Sequence, residues 1–390
     1  MENLSENMRR WDDAFLDQAR LRTDPLADQV IADLVQEKGL TEAKKIFDIL
    51  IRNVELPLDQ LPESTREYFA QTSELPSWAD TQKINWAQEL FLDYGPYFMV
   101  FLYYKSLPTL YACKNGVEVL VRTGRLAEDR KDIEKFTRRI AETGQFLMYS
   151  MAPGAMGKKG RAIETAQKVR LIHAAIRAFV KKEGWDADQL GEPINQEDLA
   201  ITLMTFSVSL IDALPKVKMG LTDEEANAYL HNWKVIGHIL GIEPALLPAD
   251  IHEGRYLLKR ILERQAGETE GGKIMASALI QFAKEVLPGK AFDTSPQAIM
   301  RYLAGDELTD MLGVEPKAGC LGSIAPFFMK QIIRKVERME DSDIAPKLVL
   351  DALSRKLMMA MVRYFNNYKN RPFEVPEELA EAWDLVSVEE

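Results

Sequence analysis

Apolar residues recur at the helical period along almost the whole 390-residue chain, and the alternation expected of half-buried strands is hard to find. A chain patterned this way buries its apolar stripes by packing helix on helix. Helix starts are marked: Thr222–Glu225 and Asn195–Asp198 each place a capping side chain three positions ahead of an acid. Pro and Gly punctuate the gaps, at 56–62, 153–160, 184–193, 244–248 and 316–322. No repeat of solenoid period, low-complexity tract or linker divides the chain, which predicts one all-α domain over 1–390 with a C-terminal helical layer near 251–390.

Charge and cysteine usage remove several function classes. A net charge of −11 repels phosphate backbones, so no nucleic-acid partner is expected. Two cysteines, Cys113 and Cys320, with no CxxC, exclude a disulfide scaffold, an all-cysteine zinc site and a cysteine-ligated iron–sulfur cluster. The most apolar stretch, 94–104, stops at Lys105 and falls short of the ~20 residues a transmembrane helix needs. The N-terminal residues carry charges throughout, with no apolar h-region, so the expected address is cytoplasmic.

Three helices hold the residues of interest. The first, from about Glu128 to Met151, sets Ile133, Phe136, Ile140 and Leu147 on one face, with Arg139 and Thr143 within or beside that stripe. An arginine there needs a partner, because a buried unpaired charge is costly. The pair could line a ligand pocket, or Arg139 could meet an acid on a neighbouring helix. The second, from about Ala162 to Lys182, carries Val169, Ile172, Ile176, Phe179 and Val180, with His173 in the middle of the stripe. Arg170 and Arg177 flank His173 at i−3 and i+4, on its side of the helix. Two cations disfavour an imidazolium and favour the neutral, metal-binding imidazole. They would repel a bare divalent cation but suit an anionic cofactor. A haem answers both needs, with an axial histidine for iron and arginines for its propionates. The alternative is a core histidine hydrogen-bonded to a backbone carbonyl. The third helix, from about Glu197 to Leu214, is apolar nearly all round and predicts a central helix with Thr205 inside.

Other candidates are less specific. The glycine-rich, basic run Met151–Arg161 leads into the His173 helix and could receive an anion at the helix start, or form a flexible solvated loop. It lacks the Lys-Ser/Thr of a P-loop. His231 and His238 stand seven apart, too far to chelate one metal from a straight helix. None of the four histidines has a glutamate three positions before it, which excludes the usual di-iron bundle, and no GxSxG or HExxH occurs.

Several of these segments resemble one family. In order along the chain they are TGRL (Thr123–Leu126), RRIAET (Arg138–Thr143), MAPG (Met151–Gly154), VRLIHAAIR (Val169–Arg177) and MTFS (Met204–Ser207). They are similar to the latex clearing proteins, a family of rubber oxygenases that also contains fungal membrane-bound oxygenases cleaving prenyl side chains. RTDPLAD (Arg22–Asp28), PSWAD (Pro76–Asp80), SLPTLYA (Ser106–Ala112) and the helix around His231 and His238 agree, so the resemblance spans roughly Arg22 to Pro248.

The resemblance implies an all-α fold whose globin-like core, near 85–250, holds b-type haem. Its Arg-x-x-His-x-x-x-Arg motif falls on Arg170, His173 and Arg177, with His173 the proximal iron ligand. Its distal Arg-x-x-x-Thr pair falls on Arg139 and Thr143, and a further helix threonine on Thr205. Where some members have a distal lysine, this chain has Glu142, which could serve as a base. For the family's catalytic glutamate the candidates are Glu118 and Glu128. The family's rubber oxygenases are secreted with a twin-arginine signal, a pattern the N-terminal residues do not show. The expectation is therefore a haem b oxygenase using O₂ on a small apolar, unsaturated substrate, isoprenoid- or lipid-like, by cleavage of C=C. In it Arg139 and Thr143 stabilise developing negative charge, and Glu142 takes an allylic proton. A haem carrier or sensor without turnover, and a helical scaffold without haem, remain the alternatives.

Overall fold

The structure, a computed structural model, describes residues 5–52, 61–123, 130–158, 160–286, 295–315 and 376–383. Glu128, Cys320 and the Gly124–Leu126 part of the TGRL run lie outside the described residues, as do the side chains of Ile133 and Phe136. Among the described residues the regular elements are helices, as the periodicity requires; a lone β-bridge pairs Cys113 with Ala266. In chain order the helices used below are α1 (Pro25–Arg52), α2 (Glu63–Gln71), α3 (Thr81–Phe101), α4 (Leu107–Tyr111), α5 (Gly116–Arg122), α6 (Arg130–Met151), α7 (Ala162–Lys182), α8 (Gln196–Phe206), α9 (Asp223–Ile239), α10 (Ile251–Gln265) and α11 (Glu270–Val286). Thr222 and Glu225 make the reciprocal capping box at the start of α9, with Glu225 Oε2 accepting from Thr222 N at 2.7 Å and Thr222 Oγ1 accepting from Glu225 N at 3.3 Å.

The chain gathers into two compact units that interleave in sequence. The first comprises Met1–Gln88, Phe146–Met204 and Asn227–Leu262, the second Glu89–Gln145, Thr205–Ala226 and Glu263–Glu390. Neither coincides with 85–250 or 251–390.

In the first unit, α7 packs on α1 and α2. Leu171 and Ala174 bury against Ala27, Val30, Ile31 and Leu34 of α1 and Tyr68 and Phe69 of α2. Full burial of one such leucine stabilises by about 1.5–3 kcal/mol.

The third predicted helix is not continuous. It ends at Phe206, because Ser207 leaves helical geometry (φ −114°, ψ −82°), and resumes over Val208–Ile211 and a 3₁₀ turn at Leu214–Val217. Side-chain donors hold the broken segment within the second unit: Ser106 Oγ donates to the Thr205 carbonyl at 2.6 Å and Lys105 Nζ to the Ser209 carbonyl at 2.8 Å. The stretch Gln196–Val217 is long and apolar enough to cross a membrane, and most of it is buried within the chain.

Also in the second unit, α3 runs into a π-helical turn, Leu102–Ser106, before α4. Tyr103, on that turn, donates its hydroxyl to the Leu279 carbonyl of α11 at 2.5 Å. Gly272 lets α11 approach α4 closely, since a Cβ there would lie 2.7 Å from the Tyr111 carbonyl oxygen.

Candidate functional site

Helix α7 has the boundaries its sequence predicts, but its buried face is rotated away from the predicted stripe, toward the Arg177 side. Its buried side is Gln167, Leu171, Ala174 and Arg177, toward α1 and α2. The apolar stripe read as core, Val169, Ile172 and Ile176, is only partly buried, and Phe179 is 41% exposed; only Val180 of the stripe is buried. The reason lies in neighbours the helical period cannot show, because α1 offers its own apolar face to Leu171 and Ala174. His173 sits half-buried within this partly covered stripe. Leaving three aliphatic side chains partly in water around one imidazole is unfavourable unless something apolar covers them.

The two flanking arginines differ. Arg170 has all three side-chain nitrogens engaged: Nε meets Asp24 Oδ2 at 2.5 Å, Nη2 meets Asp24 Oδ1 at 2.7 Å, and Nη1 donates to the Ile239 carbonyl at 3.1 Å. Arg177, also buried, donates Nε to Asp28 Oδ1 at 2.7 Å and Nη1 to the Ile194 carbonyl at 3.4 Å, while its Nη2 is buried with no hydrogen-bond partner. Asp24 lies on the strap just before α1 and Asp28 in the first turn of α1. Ahead of Asp24, Arg20 pairs with Glu197 at 3.0 Å and Asp198 at 3.3 Å, and Arg22 with Glu243 at 2.8 Å. Burial pushes the Asp198 carboxyl up to about 6 against the pull of Arg20.

In the second unit, Arg139, Glu142 and Thr143 lie half-buried on α6. Thr143 Oγ1 donates to the Arg139 carbonyl at 2.9 Å, one turn back, so its proton is committed to the helix and the hydroxyl offers its lone pairs. The charge of Arg139 reaches the buried Tyr111 hydroxyl. Thr205 is fully buried beside the π turn, and Glu118 is half-buried on α5.

The remaining candidates find other uses. Trp78 stands edge-on to both His231 and His238, at 5.8 and 5.9 Å between ring centres, with Lys234 over its ring at 5.7 Å. His231 Nε2 accepts the Asp80 N–H at 2.9 Å, and burial with Lys234 and Lys83 nearby lowers its pKa to about 4, so it is neutral. The glycine-rich run is held by its own backbone: Gly157 N reaches the Gly154 carbonyl at 2.8 Å, Ala162 N the Ala155 carbonyl at 3.0 Å, and Gln88 Oε1 accepts from Gly154 N at 2.8 Å. Gly160 is required there, because a Cβ would collide with the Ala155 carbonyl. Among the described residues no three His, Cys, Asp or Glu side chains cluster to hold a metal ion.

Sequence reasoning missed Asp24 and Asp28 as partners of the His173 helix, although both lie in the RTDPLAD segment. It also missed the buried tyrosines of the π turn, whose only sequence signal is the aromatic run before Lys105.

Comparison with known proteins places this arrangement. Residues 100–328, more than half of the chain, match the family model described as ER-bound oxygenase mpaB/B'/Rubber oxygenase, catalytic domain. The chain is similar to a rubber oxygenase of Streptomyces sp. (strain K30), at 26% identity over 299 residues, covering 75% of this chain and 70% of the relative. Its fold is similar to that of latex clearing protein in the closed state, with a TM-score of 0.65 at 22% identity, covering 94% of this chain and 90% of the other. The chain belongs to the mpaB/B'/rubber oxygenase catalytic-domain family, and is thereby an oxygenase of helical, latex-clearing-protein-like fold.

Proposed function

We propose that this oxygenase is haem-dependent and that His173 binds the iron. The observation that carries the reading is the partly exposed apolar face of α7 centred on His173. A porphyrin is a flat apolar body with two carboxylates, and the residues present fit it. Val169, Ile172 and Ile176 offer apolar cover, His173 offers one imidazole, and the buried, unpartnered Nη2 of Arg177 one turn on suits a carboxylate. Arg170, with each nitrogen bonded to Asp24 or Ile239, instead fixes α7 in place.

When bound, the haem supplies the O₂ chemistry that side chains cannot. Arg139 supplies positive charge to negative charge developing on oxygen, and Thr143 positions the Arg139 turn through its back-bond. Glu142 would accept an allylic proton from the substrate and return it before the products form, because the overall change conserves every hydrogen. The Streptomyces relative is a rubber oxygenase, which brings polyisoprene-like chains forward as the substrate class. The overall change is an alkene plus O₂ giving two carbonyl compounds. The test is a carbon monoxide titration of the reduced protein, followed by incubation with squalene in air. Ready carbon monoxide binding and aldehyde or ketone products support the oxygenase. A reduced protein that refuses carbon monoxide because a side chain holds the sixth position contradicts it and identifies a carrier.

A further inference from the structure

Pro96 lies inside α3 and leaves the Leu92 carbonyl, four residues back, without a helical N–H. A side chain from the far end of the chain fills that gap: Trp383 donates its indole N–H to the Leu92 oxygen at 2.9 Å. Trp383 directly follows α12 (Glu377–Ala382), a helix of six residues in the same unit as this part of α3. Its ring lies against Gly95, where a Cβ would come within 2.3 Å of Trp383 Cζ2, so the notch exists only because residue 95 has no side chain. Phe91 closes one side of the notch, edge-on to the indole at 5.7 Å between ring centres. Leu379, one turn before Trp383, is buried as well, while Glu377, Glu378 and Glu381 face water. Two apolar anchors at i and i+4 are the way an amphipathic helix sits in a groove.

So short a helix has no stability of its own, and its docking rests on such anchors. Elements held by few buried contacts open at a lower free energy than the core. What α12 docks on is the weak point of α3, since helices bend at proline. The part of α3 beyond that point forms a wall. Met99 of α3 and Leu102 and Tyr103 of the π turn share a narrow cavity with Ile140 and Gly144 of α6, the neighbours in sequence of Arg139 and Thr143. The cavity has room for about one water molecule, so an isoprenoid chain reaches this turn of α6 only if the wall moves.

We propose that α12 is a latch. With Trp383 in the Gly95 notch it holds the α3 wall against α6, and its release lets the wall swing about Gly95 and Pro96 and admit an apolar ligand between Met99 and Ile140. The inference rests on the oxygenase reading for what enters, but the latch itself needs no haem.

The test is hydrogen exchange of the full-length protein read by mass spectrometry. The entry rate of diphenylhexatriene, an apolar probe that fluoresces once out of water, is measured on the same samples. Trp383→Phe keeps a ring for the notch and removes the N–H. It is expected to speed both exchange over residues 97–106 and probe entry by about two- to tenfold, the worth of one hydrogen bond. Gly95→Ala leaves Trp383 unaltered but evicts it from the notch. Alanine is the better helix former, so faster exchange over 97–106 and faster entry in this variant come from the lost latch and not from a weakened helix. Exchange in α9, in the first unit, should stay as in wild type in both variants. The proposal is overturned if either variant leaves exchange over 97–106 or probe entry unchanged. It is also overturned if exchange rises equally in α9, which would make Trp383 an ordinary core residue. Haem content of the same samples keeps the two readings apart. Latch-dependent entry in protein without haem contradicts the haem assignment and leaves the latch standing, and haem-loaded protein whose probe entry ignores the latch does the reverse.

Discussion

Asp24 grips Arg170 with both carboxylate oxygens, at 2.5 and 2.7 Å, and so ties the strap before α1 to the helix one turn ahead of His173. The side chains are only 4% and 11% exposed. Breaking such a pair by removing one partner strands a buried charge, at about 3–5 kcal/mol. Asp24→Ala and Arg170→Ala should each destabilise by about that amount in urea denaturation, and Asp24→Ala/Arg170→Met should recover part of the loss. Two single variants within about 1 kcal/mol of wild type would show the pair to be incidental.

Arg177 should behave differently. Its partner Asp28 is 31% exposed and can be solvated once the guanidinium is gone. Arg177→Ala is therefore expected to keep helix content while haem dissociates about 10- to 100-fold faster, the worth of one charge-assisted hydrogen bond. Transfer of haem to an apo-globin acceptor measures the rate. Unchanged transfer with a large loss of stability would make Arg177 a purely structural residue.

The contrast between the arginines marks where the sequence stopped being legible. Their spacing about His173 was visible, as were the ends of α7, because both follow from the helical period. Which side of α7 faces the core was not. That depends on α1 and α2, and on ion pairs 146 and 149 positions apart, which no local pattern displays. The break at Ser207 was hidden for a similar reason, since the donors that hold it, Ser106 and Lys105, come from a distant turn. Arg139, Thr143, Arg170, His173, Arg177 and Thr205 were nevertheless picked out as polar groups set in or beside apolar stripes, whereas Glu142 came from the family resemblance alone.

His231 gives a pH prediction. Its folded pKa, about 4, is below the ordinary histidine value of ~6.5, first through burial and then through Lys234 and Lys83, with Asp80 opposing. The unfolded chain then binds the proton more readily, so stability is full above about pH 6.5 and falls as the pH drops toward 4. With solvent screening the loss is on the order of 1–2 kcal/mol. His231→Gln keeps an acceptor for the Asp80 N–H and should flatten this limb of a thermal-melt profile between pH 4 and 6.5. A variant as acid-sensitive as wild type would assign the limb to other groups.

Arg139→Ala should leave haem content nearly intact and lower product formation from squalene by about 10- to 100-fold, approaching the effect of removing one charge-stabilising donor. Product analysis by chromatography reads this directly. Full activity in the variant would remove Arg139 from the chemistry.

The central claim is that His173 binds a haem iron on the partly exposed face of α7. Its most direct test is the pyridine haemochrome of wild type and His173→Ala, each normalised to protein and checked for equal helix content. The account predicts close to one b-type haem per wild-type chain and little or none in the variant. A wild-type protein without haem, or a variant that retains it with an unchanged spectrum, would contradict the account.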